Sequence, residues 1–439
     1  MLPNEFKERM KILLSDDYER FINSFEENEV KSIRINTEKI DVSDFLKISP
    51  FKLEKIPYTV DGFYVNETNL GNHPYHHAGL FYVQDPAAMM PANLIGLDSD
   101  MIVLDLCAAP GGKSGQIGAK LKDGILVSNE INPNRAKILF SNIERMGLKN
   151  TIILNNDSYF LAKKYPNTFD VIFIDAPCSG EGMFRKDPNA IKEWSLKKIE
   201  DCAKIGKELL KNADIMLKSG GIIVYSTCTY SLEENELQIT DFLKDHDYEV
   251  VEIDSIKKYT SPGYVDGNIN PELKKAIRFY PHITKGEGQF ACVLKKKGNL
   301  VKTKLDFKTN EVINKYISND VDIKLNTEIY NNCCYTKLPF DIKGMKIISS
   351  GVKLGEIKND RFIYHHNFIT AYGSYFKNKL NLSLDDPRLD KYLHGLEIED
   401  DSVNSGYGVI LVNNYPLGLF KASNGRLKNH YPSGLRMVK

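Results

Sequence analysis

Between residues 101 and 113 the chain reads Met-Ile-Val-Leu-Asp-Leu-Cys-Ala-Ala-Pro-Gly-Gly-Lys. Met101–Leu104 is a short apolar run, the length of a buried parallel strand. Asp105 ends it. Cys107, Ala108, Ala109, Pro110, Gly111 and Gly112 then form a tight turn of small residues, and Lys113 leads into a helix. Strand, small-residue turn and helix together let main chain approach a nucleotide-like ligand closely. Glycine has no Cβ to hold the ligand off. Neither G-x-x-x-x-G-K-[ST] nor G-x-G-x-x-G occurs, so the two common phosphate-binding loops are absent. An Asp followed by a Gly-rich turn suits S-adenosylmethionine better. An ordinary strand–loop–helix junction is the plain alternative for this stretch alone.

From about residue 100 onward strand and helix patterns alternate. Apolar runs at Ile102–Leu104, Gly124–Val127, Ile152–Leu154, Val171–Ile174 and Ile222–Tyr225 are separated by helical patterns at 112–121, 133–147, 158–164, 196–218 and 233–244. Repeated βα units predict an α/β fold with a doubly wound, Rossmann-like parallel sheet and right-handed crossovers. Tyr248–Ile253 and Phe290–Leu294 read as two further strands around an insertion from Ser261 to Gly288. The sheet is expected to end near Lys297, in a Lys295-Lys296-Lys297-Gly298 linker.

Residues 1–98 read as a small α/β domain. Phe6, Met10, Leu13 and Leu14 recur at helical spacing, and Ser32–Asn36, Tyr58–Val65 and Leu80–Val83 read as strands. Asp85 and Pro86 are placed to cap and start a helix. His73, His76 and His77 lie close together, but no acidic or Cys partner stands at ligand spacing. A structured loop at a domain junction is expected there, and no metal. Domain boundaries are expected at 98, 297 and 384. The segment 298–384 reads as a linker and small domain, with a helix near 309–318 and several short strands, and gives little else. The segment 385–439 is a small β unit, with strands at Gly406–Val412 and Tyr415–Phe420. Its end, 414–439, carries Lys421, Arg426, Lys428, Arg436 and Lys439 with no Asp or Glu. Phe420 and Tyr431 interleave aromatics, a pattern that suits RNA. The alternative is a solvated face.

Lys+Arg and Asp+Glu both number 58, so no global basic field advertises nucleic acid. The 7 Cys form no C-x-x-C, which argues against a disulfide framework or zinc ribbon. Residues 1–11 lack an apolar signal core, and no run is long enough to span a bilayer. A soluble, cytoplasmic monomer without membrane association is expected.

In a doubly wound sheet, ligands bind at the carboxyl ends of the strands. Glu130 ends the second strand, where a carboxylate can accept from ribose hydroxyls. Asp157 follows the third, within reach of an adenine amino group. Asp175 ends the fourth and Cys228 the fifth. The fourth and fifth strands are neighbours in such sheets, so Cys178, just after Asp175, and Cys228 should face one pocket. A thiol is the natural nucleophile for an electron-poor ring carbon. Its addition to cytosine carbon 6 would activate carbon 5 toward a methyl sulfonium. That cycle needs a nucleophile, an acid near ring nitrogen 3 and help with elimination. Cys228, Asp175 and Cys178 supply these types. Two buried strand-end cysteines with no chemistry are the plain alternative.

The motifs D-L-C-A-A-P-G-G-K (105–113), N-E-I-N-P-N-R-A-K (129–137), D-A-P-C-S-G-E-G-M-F-R-K (175–186) and S-T-C-T-Y-S (226–231) resemble those of the Nol/Nop/Sun group of RNA 5-methylcytosine methyltransferases. H-P-Y-H-H-A-G-L-F-Y-V-Q-D-P (73–86) extends the likeness. L-K-N-H-Y-P-S-G-L-R (427–436) is similar to the PUA-like RNA-binding module of bacterial ribosomal RNA members of the Rsm-F type. The resemblance implies that residues 107–113, Glu130, Arg135, Asp157 and Asp175 bind S-adenosylmethionine. It also implies that Cys228 is the nucleophile and Cys178 assists product release. The implied partner is 16S ribosomal RNA or the small subunit, with tRNA as the other possibility. Leu232 departs from the family, which has Pro before the acidic run. A non-catalytic ribosome assembly factor is a competing reading. A DNA-type cytosine methyltransferase would attack with Cys178, but its Glu-Asn-Val signature is absent.

Overall fold

The computed structural model describes residues 2–306 and 313–437. A central sheet of ten strands is built from β1 (Ile102–Asp105), β2 (Ile125–Asn129), β3 (Thr151–Leu154), β4 (Phe169–Asp175), β5 (Leu217–Thr227), β6 (Tyr248–Val251), β7 (Ser261–Pro262), β8 (Ile277–Phe279), β9 (Gln289–Lys296) and β10 (Ile347–Ser350). The strands run in the order β7-β8-β9-β5-β4-β1-β2-β3-β10, with β6 also paired to β9. β1 to β5 are mutually parallel. The chain moves to one side of β1 for β2 and β3, and to the other for β4 and β5. Beside β1 the loops therefore diverge and leave a crevice at the carboxyl edge.

The helices follow their local signals. α1 (Gly112–Gly118) starts after Gly111, whose φ of +110° strains any side chain. α2 (Pro133–Met146) has Asn132 as cap, accepting from Asn134 N at 2.9 Å, and ends on Gly147 in the left-handed region. α3 (Ser158–Lys164) is capped by Asp157, and α4 (Leu196–Met216) by Ser195. α5 (Glu236–Asp245) follows β5. Ile102, Leu104, Val127, Ile152 and Ile174 are buried in one face of the sheet against α4 and α5 residues such as Leu210 and Ile239. Each such side chain contributes about 1.5–3 kcal/mol.

The doubly wound core of β1 to β5 is parallel, as the alternation predicts, and β6, β7, β8, β9 and β10 pair antiparallel, so the whole sheet is mixed. One reading is corrected: the sheet does not end near Lys297. β9 runs to Lys296, whose ammonium lies 2.9 Å from Asp214, and β10 adds a strand against β3. Leu338, Phe340 and Met345, just before that strand, pack on the central core. The expected helix near 309–318 is partly outside the described residues; Asn314–Ile317 is helical.

The N-terminal helix Asn4–Leu14 forms as its spacing predicts, and Phe6 and Met10 are buried. Ser32–Ile35, Gly62–Tyr64, Phe81–Val83 and Glu54–Lys55 make a four-stranded sheet. A five-stranded sheet closes the chain: Lys379–Leu382, Gly406–Val412, Tyr415–Ser423, Arg426–Asn429 and Ile398–Glu399. Its first strand lies before the 384 boundary read from sequence. The two sheets share one core: Ile33, Phe45, Tyr75 and Phe81 pack with Leu380, Val412, Phe420 and Tyr431. Phe420 and Tyr431 are thus interior, which corrects their reading as an RNA-facing aromatic pattern. The histidine loop sits in this junction. His73 caps the short helix Pro74–His77, and His77 Nδ1 lies 2.8 Å from the Tyr431 hydroxyl. No helix among the described residues is long and apolar enough to cross a membrane.

Candidate active site

The crevice beside β1 holds a cavity of about 370 Å³. One wall is the Cys107–Pro110 turn with Gly112 and Lys113, and another is Asp175 and Cys228. The N-terminal sheet closes it with Tyr82, Gln84 and Asp85, and the start of β9 closes it with Glu287 and Gln289. At Gly112 a Cβ would come within 3.1 Å of Tyr82 and 3.2 Å of Gln84, so the turn and the N-terminal sheet touch through a missing side chain.

Asp105 sits at the end of β1, 1% exposed. Its Oδ2 accepts from Ser114 Oγ at 2.6 Å, while Oδ1 has no partner among the described residues. Burial pushes its carboxyl up to about 7, and the charges of Asp175 and Glu130 add to the effect. Lys113 Nζ lies 2.8 Å from Asp175 Oδ2. Burial alone would lower the Lys113 pKa. Asp175, Asp105 and Cys228 outweigh it, and the net shift is upward, so the ammonium persists. Ser226 Oγ donates to Asp175 Oδ1 at 2.9 Å. Glu130 is buried at the end of the second strand; Oε1 accepts from Asn132 N and Oε2 lies 3.3 Å from Arg135. Arg135 also donates to Ala109 O at 2.7 Å and lines the cavity.

The two sulfurs, Cys178 Sγ and Cys228 Sγ, are 3.2 Å apart. The hydrogen bond to Cys228 and burial both raise the Cys178 pKa well above the ordinary thiol value. Cys178 therefore keeps its proton. Cys107 is likewise raised by burial, with Asp105 next, and is an inert thiol. Gly182 N donates to Cys228 O at 2.9 Å and so ties the loop after β4 to the loop after β5.

Of the residues singled out from sequence, Cys107, Ala108, Ala109, Pro110, Gly112, Lys113, Arg135, Asp175 and Cys228 line the one cavity. Cys178 touches it through Cys228. Gly111, Glu130 and Asp157 are not among its lining; Asp157 is exposed and accepts from Tyr159 N at 2.8 Å as the α3 cap. Sequence reasoning expected Arg185 and Lys186, beside the loop after β4, to contact RNA, and Lys186 lines the cavity; it did not assign Tyr82, Gln84, Asp85, Met183, Glu287 or Gln289 to the site, and these line it too. The Gln84-Asp85 pair carried the available signal. Asp85 does cap, accepting from Ala87 N at 2.9 Å, but its Oδ2 has no partner among the described residues and burial raises its pKa. Arg185, adjacent to Lys186, is buried and held by Glu287 at 3.0 Å. It is therefore structural rather than an RNA contact.

Three family models match the chain: the 16S rRNA methyltransferase RsmB/F over residues 92–295, the N-terminal domain of 16S rRNA methyltransferase RsmF over 2–86, and the methyltransferase RsmF PUA domain over 379–437. Ribosomal RNA small subunit methyltransferase F from Vibrio parahaemolyticus is 31% identical, covering 99% of this chain and 97% of that one. The protein of the same name from Vibrio vulnificus is 32% identical with the same coverage. Among solved structures, a methyltransferase homolog protein from Pyrococcus horikoshii is 29% identical with a TM-score of 0.60, covering 67% of this chain and 95% of that one. NSun6 from Pyrococcus horikoshii, solved with SFG, is 23% identical with a TM-score of 0.58 over 68% of this chain and 99% of that one, and shows the fold alone.

Proposed function

The chain belongs to the ribosomal RNA small subunit methyltransferase F family, and from that premise we propose that it methylates carbon 5 of a cytosine in 16S ribosomal RNA. S-adenosylmethionine, when bound, supplies the methyl group. The cavity suits such a cofactor: the Gly112 cradle gives close main-chain approach, and Asp105 Oδ1 is a buried acceptor without a partner among the described residues. Cys107–Pro110, Gly112, Lys113, Arg135 and Asp175, which line the cavity, would hold it, and Glu130 would contribute by anchoring Arg135.

The Cys228 thiolate adds to ring carbon 6, and Asp175 assists at nitrogen 3. Electron density moves to carbon 5, which takes up the methyl group. Water in the open cavity takes the carbon 5 proton, the C–H electron pair re-forms the double bond between carbons 5 and 6, and the bond from carbon 6 to sulfur breaks so that Cys228 leaves as thiolate. Lys113 orients Asp175 and brings positive charge toward Cys228. Cys178, as a thiol 3.2 Å from Cys228 Sγ, assists the departure. That sulfur–sulfur contact is the observation that carries the reading. The raised Cys178 pKa speaks against a DNA-type attack by Cys178, because the thiolate is the nucleophile.

The test uses labelled S-adenosylmethionine with unmodified 16S RNA, small subunits and tRNA. Cys228→Ala should abolish label transfer and any covalent adduct. Cys178→Ala should still transfer methyl, yet accumulate a protein–RNA complex that survives a denaturing gel. An adduct in Cys228→Ala and none in Cys178→Ala would exchange the two roles. Label on tRNA alone would overturn the substrate, and label on neither RNA would favour the assembly-factor reading.

A further inference from the structure

Behind the thiol pair runs a chain of buried oxygens. Ser179 and Thr229 directly follow Cys178 and Cys228. Ser179 Oγ lies 2.6 Å from Glu234 Oε2 and 2.7 Å from Thr229 Oγ1. Thr229 Oγ1 lies 2.9 Å from Glu181 Oε2. All four residues are buried. Three oxygen–oxygen contacts at these distances require three protons, and two hydroxyls bring only two. The third must belong to a carboxylic acid at one end.

The other hydrogen bonds decide which end. Glu181 accepts from Trp194 Nε1 on Oε1 at 3.0 Å, and on Oε2 from Tyr230 N at 3.0 Å as well as from Thr229. Both of its oxygens face donors, so it is the ionised end. Glu234 accepts from Ser179 N on Oε1 at 2.7 Å. Its Oε2 is left to carry the proton. Burial raises both carboxyls, that of Glu181 and, to about 7, that of Glu234, so the hydrogen bonds make the assignment; the Ser231 hydroxyl beside Glu234 donates to Glu233 Oε2 at 2.9 Å.

We propose that Glu234 is a neutral acid heading a one-directional chain Glu234–Ser179–Thr229–Glu181, and that this chain sets the separation of the Cys178 and Cys228 thiols. Glu234 and Glu181 are then positioning residues for adduct release, a role that rests on the catalytic reading above. A glutamine at 234 keeps the acceptor for Ser179 N and donates from Nε2 to Ser179 Oγ, as the acid does. A glutamine at 181 must turn its amide group toward a donor in either orientation.

Glu234→Ala should slow adduct release about tenfold or more, as loss of a buried hydrogen bond implies, and Glu234→Gln should restore most of it. Glu181→Gln should lose as much as Glu234→Ala; if it does not fold, the Ala–Gln pair at 234 still decides. Equal losses in Glu234→Gln and Glu234→Ala overturn the proton assignment. A second readout does not depend on catalytic roles. Diamide takes up the two thiol hydrogens as a Cys178–Cys228 disulfide forms, and mass spectrometry counts the linked peptide. Its formation should slow about tenfold in Glu234→Ala, because the same hydrogen bond is missing, and recover in Glu234→Gln. Unchanged disulfide formation in every variant overturns the proposal. The expected disulfide pattern with unaltered adduct release would sustain the chain and defeat the catalytic reading.

Discussion

At the carboxyl edge of the central sheet, β1 and β4 end in Asp105 and Asp175, and Cys228 directly follows β5; all three line the cavity. In the C-terminal sheet, Phe420 and Tyr431 turn inward onto the N-terminal sheet, while Lys421, Arg426 and Lys428 stay exposed on the other face. A parallel strand stops pairing at its carboxyl end, so topology directs a polar residue there into the crevice. In an antiparallel sheet, register and whatever packs on each face decide which residues are reachable. Lys421 lies opposite Lys428, and its ammonium sits 5.1 Å over the Tyr407 ring. The basic face therefore combines its charges with the half-buried Tyr407 ring, while Phe420 and Tyr431, which flank the charges in sequence, serve stability.

The largest test of this contrast removes the C-terminal sheet. Deleting residues 379–437 should strip the cover from Ile33, Phe45, Tyr75 and Phe81 and unfold the N-terminal sheet, not merely weaken RNA binding. Phe420→Ala should cost about 3–5 kcal/mol in chemical denaturation. A truncated protein that melts like the full chain would break the shared core.

A smaller effect is expected at Asp105. Its carboxyl is raised to about 7 in the fold against about 3.9 in an unfolded chain. The folded state thus holds the extra proton between those values. The Asp105 contribution to stability is greatest below about pH 4, falls as pH rises toward 7 and levels above it. Asp105→Asn should flatten that fall, leave the protein about 1–3 kcal/mol more stable than wild type at pH 8, and weaken cofactor binding. Thermal melts at pH 5 and 8, with calorimetric titration of S-adenosylmethionine, check both halves. Parallel pH profiles in the two proteins would remove Asp105 as the buried acid.

The smallest effect concerns the basic face. Replacing Lys421, Arg426 and Lys428 together by Ala should leave the melt unchanged and weaken RNA binding. The slope of log affinity against log salt should become shallower by roughly 0.7 for each phosphate that is no longer neutralised. An unaltered slope would make this face merely solvated.

The alternation of apolar runs with helical patterns was enough to place β1 to β5 and α1 to α5, because each run is self-sufficient: its own residues fill the core. The insertion before β9 was opaque for the opposite reason. β8 carries Arg278 in mid-strand, which interrupts the apolar pattern. In the fold its guanidinium is buried against Glu236, with Nε 2.6 Å from Oε1. No local rule pairs residues so far apart. Short strands were expected around β10, but its place was hidden likewise, since Ile347–Ser350 joins the central sheet only where β3 offers an edge. Asp85 was legible as a cap, but its place in the cavity depends on the N-terminal sheet folding over Gly112.

Local sequence is sufficient for the strand ends, the small-residue turn and the residue types at the cavity: carboxylates on β1 and β4, a thiol in each of two neighbouring loops. These follow from periodicity and backbone sterics, which act over a few residues. The states of those groups come from the assembled fold. Which thiol keeps its proton, which carboxyl is raised, and which cation answers Cys228 depend on burial and on partners brought from other elements. Lys113 lies far from Asp175 in sequence and 2.8 Å from it in space. Protonation is set by desolvation and by charges within a few ångströms, and folding alone creates those distances.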